Sequence, residues 1–153
     1  EVSDLAHESA GGGKPIEELT SDELYNLGLD LEELDQNQAK NVYQRAATLD
    51  PTNVDAIINL GRILQLEGDL KMAKQAYERG LSLNPRHELA NYNLGTIFDE
   101  LDETSIASSY YEKAPNVPDA HYNLARLKEL AGDQVSAKRH LQLYKELVEL
   151  EGF

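Results

Sequence analysis

A four-residue signature recurs down this chain at nearly constant spacing. Its copies read Tyr25-Asn26-Leu27-Gly28, Ile58-Asn59-Leu60-Gly61, Tyr92-Asn93-Leu94-Gly95 and Tyr122-Asn123-Leu124-Ala125. The leucines of successive copies are 33, 34 and 30 residues apart. A period of this length indicates stacked structural repeats, and it constrains the fold more strongly than local propensity does. Such stacks expose a long concave surface, which commonly binds another molecule.

The second half of each copy alternates small and large side chains. Ala39, Ala73, Ala107 and Ala137 are followed four residues later by Tyr43, Tyr77, Tyr111 and Leu141. Residues four apart share one face of a helix, so each repeat is predicted to contain two helices. We predict that Gly61 and Gly95 lie where two helices nearly touch.

The whole pattern resembles the tetratricopeptide repeat, a helix-turn-helix unit of about 34 residues. The match covers residues 21–150. The resemblance implies an all-α fold, a right-handed α-solenoid of four helical hairpins. We predict a flexible leader over residues 1–20 and a repeat domain over 21–153, with units at about 21–53, 54–87, 88–117 and 118–150.

Local signals refine these boundaries. Thr20 and Glu23 can form a capping box before a first helix that runs to about Leu34, with a turn at Asp35-Gln36. In the second repeat the helices are predicted over Val54–Leu66 and Leu70–Leu83. Around residues 114–118 the third repeat is four residues short, which indicates either a short turn or an omitted segment.

The composition excludes some classes of function. There are 28 acidic and 14 basic residues, a formal net charge of −14 at pH 7. This charge argues against direct nucleic-acid binding, which needs clustered Lys and Arg. The charge favours neutral or basic protein partners, or simply keeps the repeats soluble. With no cysteine and no long apolar run, we predict a cytoplasmic protein without membrane contact. Residue 1 is Glu rather than Met, which indicates a piece of a longer protein.

No arrangement of residues points to catalysis. His7, His87, His121 and His140 are widely separated and lack metal-ligand spacing. Neighbouring acids such as Glu32 and Glu33 point in different directions on a helix. We therefore predict no enzymatic activity, no cofactor and no bound metal.

The tetratricopeptide resemblance implies a binding groove lined by the first helix of each repeat. The predicted lining residues are Tyr25, Asn26, Leu29, Ile58, Asn59, Arg62, Tyr92, Asn93, Thr96, Tyr122, Asn123 and Arg126. The asparagine amides can hold the backbone of an extended peptide, and the tyrosines offer flat contact area. Alternatively, the Tyr-Asn pairs reflect the fold and no ligand.

The last helix offers a second candidate surface. Leu141, Tyr144 and Val148 are predicted to pack inward, which leaves Leu143, Leu147 and Leu150 on a neighbouring stripe. An uncovered apolar stripe tends to mark an interface, most simply in a two-fold homodimer. The alternative is that neighbouring charged residues shield these leucines.

The predicted function is a non-enzymatic scaffold that binds a partner peptide or protein through the concave groove. A second resemblance leaves an alternative open. The shortened turn of the first repeat, the segment from Asp119 to Arg126 and the long last helix resemble the repeat domain of some bacterial MerR-type transcription regulators. That resemblance implies a regulatory or self-association domain whose DNA-binding part is elsewhere. A further alternative is an accessory domain that presents substrates to an enzyme.

Overall fold

The computed structural model describes residues 13–152. These residues form eight α-helices and one short 3-10 turn, and they contain no strand. The helices are α1 (Ser21–Leu31), α2 (Gln36–Leu49), α3 (Val54–Leu66), α4 (Leu70–Leu83), α5 (Glu88–Glu100), α6 (Thr104–Glu112), α7 (Pro118–Leu130) and α8 (Gln134–Glu151). They pair as α1–α2, α3–α4, α5–α6 and α7–α8. The predicted all-α fold of four helical hairpins is confirmed.

The chain divides into two compact units. The N-terminal unit ends at Asn84 and contains the first two hairpins, and the C-terminal unit begins at Pro85 and contains the last two. Within the N-terminal unit α3 packs on α2, and within the C-terminal unit α7 packs on α6. Repeat proteins bury their apolar surface by this stacking of one hairpin on the next.

A helix cap sets the start of the first hairpin, and left-handed residues set the turns inside the later hairpins. The Thr20 hydroxyl accepts from the Glu23 N–H, and the Glu23 carboxylate accepts from the Thr20 N–H, both at 3.1 Å. This is the predicted capping box. Gly68 and Gly132 have φ values of 85° and 84° in the turns of the second and fourth hairpins. Asp102 takes φ of 59° in the third, so one left-handed residue closes each of these turns.

Each buried tyrosine of a second helix lies over a glycine of the first helix. Tyr43, Tyr77 and Tyr111 face Gly28, Gly61 and Gly95 respectively. A β-carbon added at any of these glycines would lie within 2.8 Å of a tyrosine ring atom, which is inside van der Waals contact distance. The predicted close approach at Gly61 and Gly95 is therefore confirmed.

The structure corrects the boundary between the first two helices. Helix α1 ends at Leu31 rather than near Leu34. Asp35 does not form a turn with Gln36, because its carboxylate accepts the N–H groups of Asn37 and Gln38 at 3.1 and 3.2 Å and so caps α2. The predicted bounds of the second hairpin, in contrast, match α3 and α4.

Part of the predicted leader packs on the first hairpin. Residues Ile16–Glu18 form the short turn, and Leu19 is buried in the core of the N-terminal unit with Ile16 packed against it. The Lys14 ammonium lies 2.9 Å from the Glu23 carboxylate. The packed region therefore begins near residue 16, and residues 1–12 of the predicted leader lie outside the described residues.

The short connection after α6 is held by a side chain of α5. Helix α6 has 9 residues, against 14 in α2 and 14 in α4. The Glu88 carboxylate accepts from the backbone N–H and the side-chain amide of Asn116, at 2.7 and 2.9 Å. Ala114 is buried beside this connection. The third hairpin is thus closed by a compact turn.

The orientation of α8 differs from the prediction. Leu141 and Val148 were predicted to pack inward, but both are exposed, while Leu143 and Leu147 are half-buried. The physical reason is that His140 is buried against α7. With His140 buried, the inward face of α8 carries His140, Leu143 and Leu147. The prediction had instead placed on that face the residues spaced from Ala137, which include Leu141.

Candidate functional site

A carboxylate of the first hairpin ties together the two hairpins of the N-terminal unit. The Tyr43 hydroxyl donates to Glu32 Oε2, and Arg62 on α3 forms an ion pair with Glu32 Oε1. Asn59 Nδ2 lies 3.4 Å from the Tyr43 hydroxyl oxygen. We call these four residues the Glu32 cluster. Its effect is to neutralise Arg62 within the unit.

The C-terminal unit repeats this arrangement with different side chains. The Tyr111 hydroxyl donates to Asp99 Oδ2 at 2.9 Å, and Arg126 on α7 forms an ion pair with the same carboxylate. The second hairpin has a neutral version, in which the Tyr77 hydroxyl donates to Gln65 Oε1 at 2.8 Å. The acceptor always stands five residues after the repeat leucine.

These tyrosines act as hydrogen-bond donors rather than as acids. Burial raises the pKa of the Tyr43 and Tyr111 phenols well above their ordinary value, and the facing carboxylates raise it further. A phenol with a raised pKa keeps its proton near neutral pH. The two tyrosines therefore donate hydrogen bonds between the helices of their hairpins.

The predicted groove residues differ in how far their side chains are exposed to solvent. Asn26, Leu29, Tyr122 and Arg126 are exposed, whereas Tyr25, Asn59, Arg62, Tyr92, Asn93, Thr96 and Asn123 are half-buried. Ile58 is 2% exposed and lies against Gly80, so its prediction as a lining residue is wrong. Ile58 packs into the core because Gly80, which has no side chain, leaves room for it.

Two predicted cations are already paired within the protein. Arg62 and Arg126 face Glu32 and Asp99, and the side chain of Asn59 is directed at Tyr43. The predicted row of asparagines is thus not uniformly free to hold a peptide backbone. Thr96 donates to the Asn93 carbonyl at 2.6 Å.

The sequence prediction missed a surface depression in the N-terminal unit. It has a volume of about 400 Å³ and is lined by Leu29, Glu32, Glu33, Gln36, Arg62 and Leu66. Leu29 and Leu66 are 43% and 68% exposed. Glu33, Gln36 and Leu66 were not predicted, although their positions after α1, at the start of α2 and at the end of α3 could have suggested them. We call this feature the Leu29 depression.

A buried histidine pair joins α7 to α8 in the C-terminal unit. His121 Nε2 lies 2.8 Å from the Pro115 carbonyl oxygen, and the two Nδ1 atoms of His121 and His140 are 3.0 Å apart. A carbonyl can only accept, so the neutral His121 carries its proton on Nε2. His140 then donates from Nδ1 to His121 Nδ1. Neither histidine was singled out by sequence spacing.

The pair predicts a dependence of stability on pH. Burial lowers the pKa of His140 below its ordinary value, and so do His121, Arg139 and Lys128, against the opposing charge of Glu112. The unfolded chain therefore binds the proton more readily, and stability falls as pH falls below about 6.5. We expect the thermal midpoint to decrease between about pH 7 and pH 5.5, and to decrease less in His140→Gln. Equal slopes for both proteins would contradict this prediction.

Residues 13–152 contain no group of three or more His, Cys, Asp or Glu side chains that could hold a metal ion.

In the same part of the chain, no helix has the length and apolar character needed to span a membrane.

Comparison with known proteins identifies the repeat. A tetratricopeptide repeat family model matches residues 31–92. A crystal structure of MamA is similar at 24% identity and a TM-score of 0.74, over 86% of this chain and 80% of that chain. MamA MSR-1 is similar at 18% identity and a TM-score of 0.68, over 97% and 94%. No curated protein sequence matches the chain.

The four hairpins and these fold similarities define a helical-repeat protein of the α-solenoid class. The repeat signature and the family match identify tetratricopeptide repeats within residues 31–92.

Proposed function

We propose that the chain is a non-enzymatic scaffold that binds a partner peptide or protein along the first helices of its repeats. The observation that carries the proposal is the Leu29 depression, where exposed leucines lie beside acidic side chains. Exposed apolar surface rimmed by polar residues is typical of protein-binding sites. The tetratricopeptide family match over residues 31–92 supports the same class of function.

The charges that line the Leu29 depression favour a partner of neutral or basic charge. Its one cation, Arg62, is paired with Glu32, which leaves Glu33 without a facing cation in the depression. A partner with apolar side chains and a neutral or basic charge complements this surface. The side-chain amide of Asn26, which is exposed on the same helix as Leu29, can hold the backbone of an extended peptide beside the depression.

A binding experiment tests this proposal. Peptides are selected against the protein from a random display library, and the affinity of the strongest binder is measured by calorimetric titration. We expect Leu29→Ser with Leu66→Ser to weaken binding by about tenfold or more, because the peptide loses its apolar contacts. Glu33→Lys should weaken a basic peptide further.

The matched control is Leu34→Ser with Leu49→Ser. These leucines are also exposed on the N-terminal unit but do not line the depression, so the affinity should stay unchanged. Equal losses in both double variants, or a library that yields no binder, would contradict the proposal.

We also propose that the chain self-associates through the predicted stripe of Leu143, Leu147 and Leu150. Leu150 is 77% exposed, and Leu143 and Leu147 are half-buried. Leu150 is therefore the member most open to a second copy.

Sedimentation equilibrium at micromolar concentration tests self-association. We expect a homodimer that Leu150→Glu converts to a monomer, because a charge placed in an apolar interface is costly to desolvate. Leu130→Glu, at an exposed leucine on α7, serves as the control and should leave the dimer intact. A wild-type monomer, or a dimer that survives Leu150→Glu, would rule out this interface.

A cytoplasmic location and the resemblance to MerR-type regulators remain predictions.

A further inference from the structure

The last hairpin leaves open a face whose equivalent in the first hairpin is covered by α3. A depression of about 430 Å³ on α7 and α8 is lined by residues that include Ala125, Glu129, Ala137, Lys138 and Leu141. We call this the terminal face. Glu129 follows its repeat leucine, Leu124, by five residues, as Glu32 follows Leu27 in the first hairpin. Lys138 and Leu141 follow Ala137 by one and four residues, as Lys40 and Tyr43 follow Ala39.

Helix α3 covers the corresponding face in the N-terminal unit. Arg62 on α3 pairs with Glu32, and Glu67, which follows α3 directly, lies 2.9 Å from Lys40. Tyr43 between them is 0% exposed. An arginine of α3 and a glutamate five residues later, at the C-terminal cap of that helix, thus meet a glutamate and a lysine of the first hairpin.

Two charges of the terminal face have no partner, whereas Arg126, which also lines it, pairs with Asp99. Glu129 and Lys138 are exposed, and neither forms a side-chain hydrogen bond or ion pair with any residue of 13–152. Leu141 is 38% exposed, in contrast to Tyr43. The two charges and the apolar centre have the same order as in the covered face of the first hairpin.

We propose that the terminal face binds an amphipathic helix of a partner protein that carries Arg and, five residues later, Glu. The arginine pairs with Glu129, the glutamate pairs with Lys138, and apolar side chains of the helix cover Ala125 and Leu141. Helices that lay an apolar face into such a groove form a common mode of recognition. This surface is separate from the Leu29 depression, which lies in the other unit.

A second copy of the chain does not supply this helix. Within residues 13–152 the pattern on a packed first helix occurs as Arg62 and Glu67, and α3 carries the buried residues Ile57 and Ile63. Releasing α3 would unfold its own hairpin. A helix presented by a partner protein carries no such cost.

A peptide with the sequence of residues 53–67 serves as the probe. A lactam staple between exposed positions keeps it helical, circular dichroism verifies this, and fluorescence anisotropy measures its binding to the full chain. A second probe carries Arg62→Glu and Glu67→Lys. We expect the first probe to bind about tenfold more tightly, because the second places like charges opposite Glu129 and Lys138.

The reciprocal variant Glu129→Lys with Lys138→Glu should reverse this preference. Both positions are exposed, so the variant keeps its fold. This reversal also separates binding at the terminal face from displacement of the chain's own α3, which the variant does not touch. A helical probe that fails to bind at millimolar concentration, or equal binding of both probes, would overturn the proposal. It would also be overturned by a homodimer that the charge swap abolishes, since a second copy would then occupy the face.

Discussion

Replacing Gly61 by leucine is expected to lower the free energy of unfolding by about 1–3 kcal/mol, toward the upper end of that range. A β-carbon at this position would lie 2.8 Å from the Tyr77 ring and 3.2 Å from the Ala76 methyl group. The ring cannot move away freely, because its hydroxyl donates to Gln65. The leucine therefore forces α3 and α4 apart. Thermal or urea unfolding of the whole chain measures the change.

Glu78→Leu is the matched control for this substitution. Glu78 is exposed on α4, so it adds a leucine to the same hairpin without adding volume to the core. Its stability should change by less than about 0.5 kcal/mol. An unfolding midpoint of Gly61→Leu that equals the wild-type value would show that the Tyr77 ring does not limit the approach of the two helices.

Replacing Glu32 by alanine is expected to destabilise the N-terminal unit by about 1–3 kcal/mol. The change leaves the buried hydroxyl of Tyr43 without its acceptor and Arg62 without its carboxylate. Most of the loss should come from the tyrosine, because Arg62 is partly exposed and can be hydrated. Chemical denaturation with a far-ultraviolet readout measures it.

Two further variants separate the causes. Glu32→Gln should cost less than Glu32→Ala, because an amide oxygen can accept from the phenol, as Gln65 does for Tyr77. Glu33→Ala removes a neighbouring exposed carboxylate and should leave stability nearly unchanged. If all three variants unfold at the wild-type midpoint, the Glu32 cluster does not stabilise the junction between the hairpins.

The hairpins and their tyrosine–glycine contacts could be predicted from the sequence because they follow from local periodicity. The spacing of Gly61 and Tyr77 places them on facing helices whatever the rest of the chain does. The bounds of α3 and α4 were predicted for the same reason. In the first hairpin, the capping role of Asp35 was missed, because a turn and a helix cap favour the same residue types.

The candidate surface was less predictable because it depends on contacts between hairpins. Counting from the repeat leucine places Ile58 and Arg62 in the groove, but it does not reveal that Gly80 accommodates the isoleucine or that Glu32 neutralises the arginine. The inward rotation of α8 depends on the pairing of His140 with His121 across 19 residues. Periodicity within one helix contains no information about such a pair.

The most direct test of the central claim, that partners bind along the first helices, is an NMR titration of the labelled protein with the library-selected peptide. The account predicts that amide signals of Asn26, Leu29, Arg62 and Leu66 shift on binding, while those of exposed residues on α2 and α4, such as Gln44 and Glu78, stay in place. Shifts confined to α2 and α4, or no shifts at saturating peptide, would contradict it.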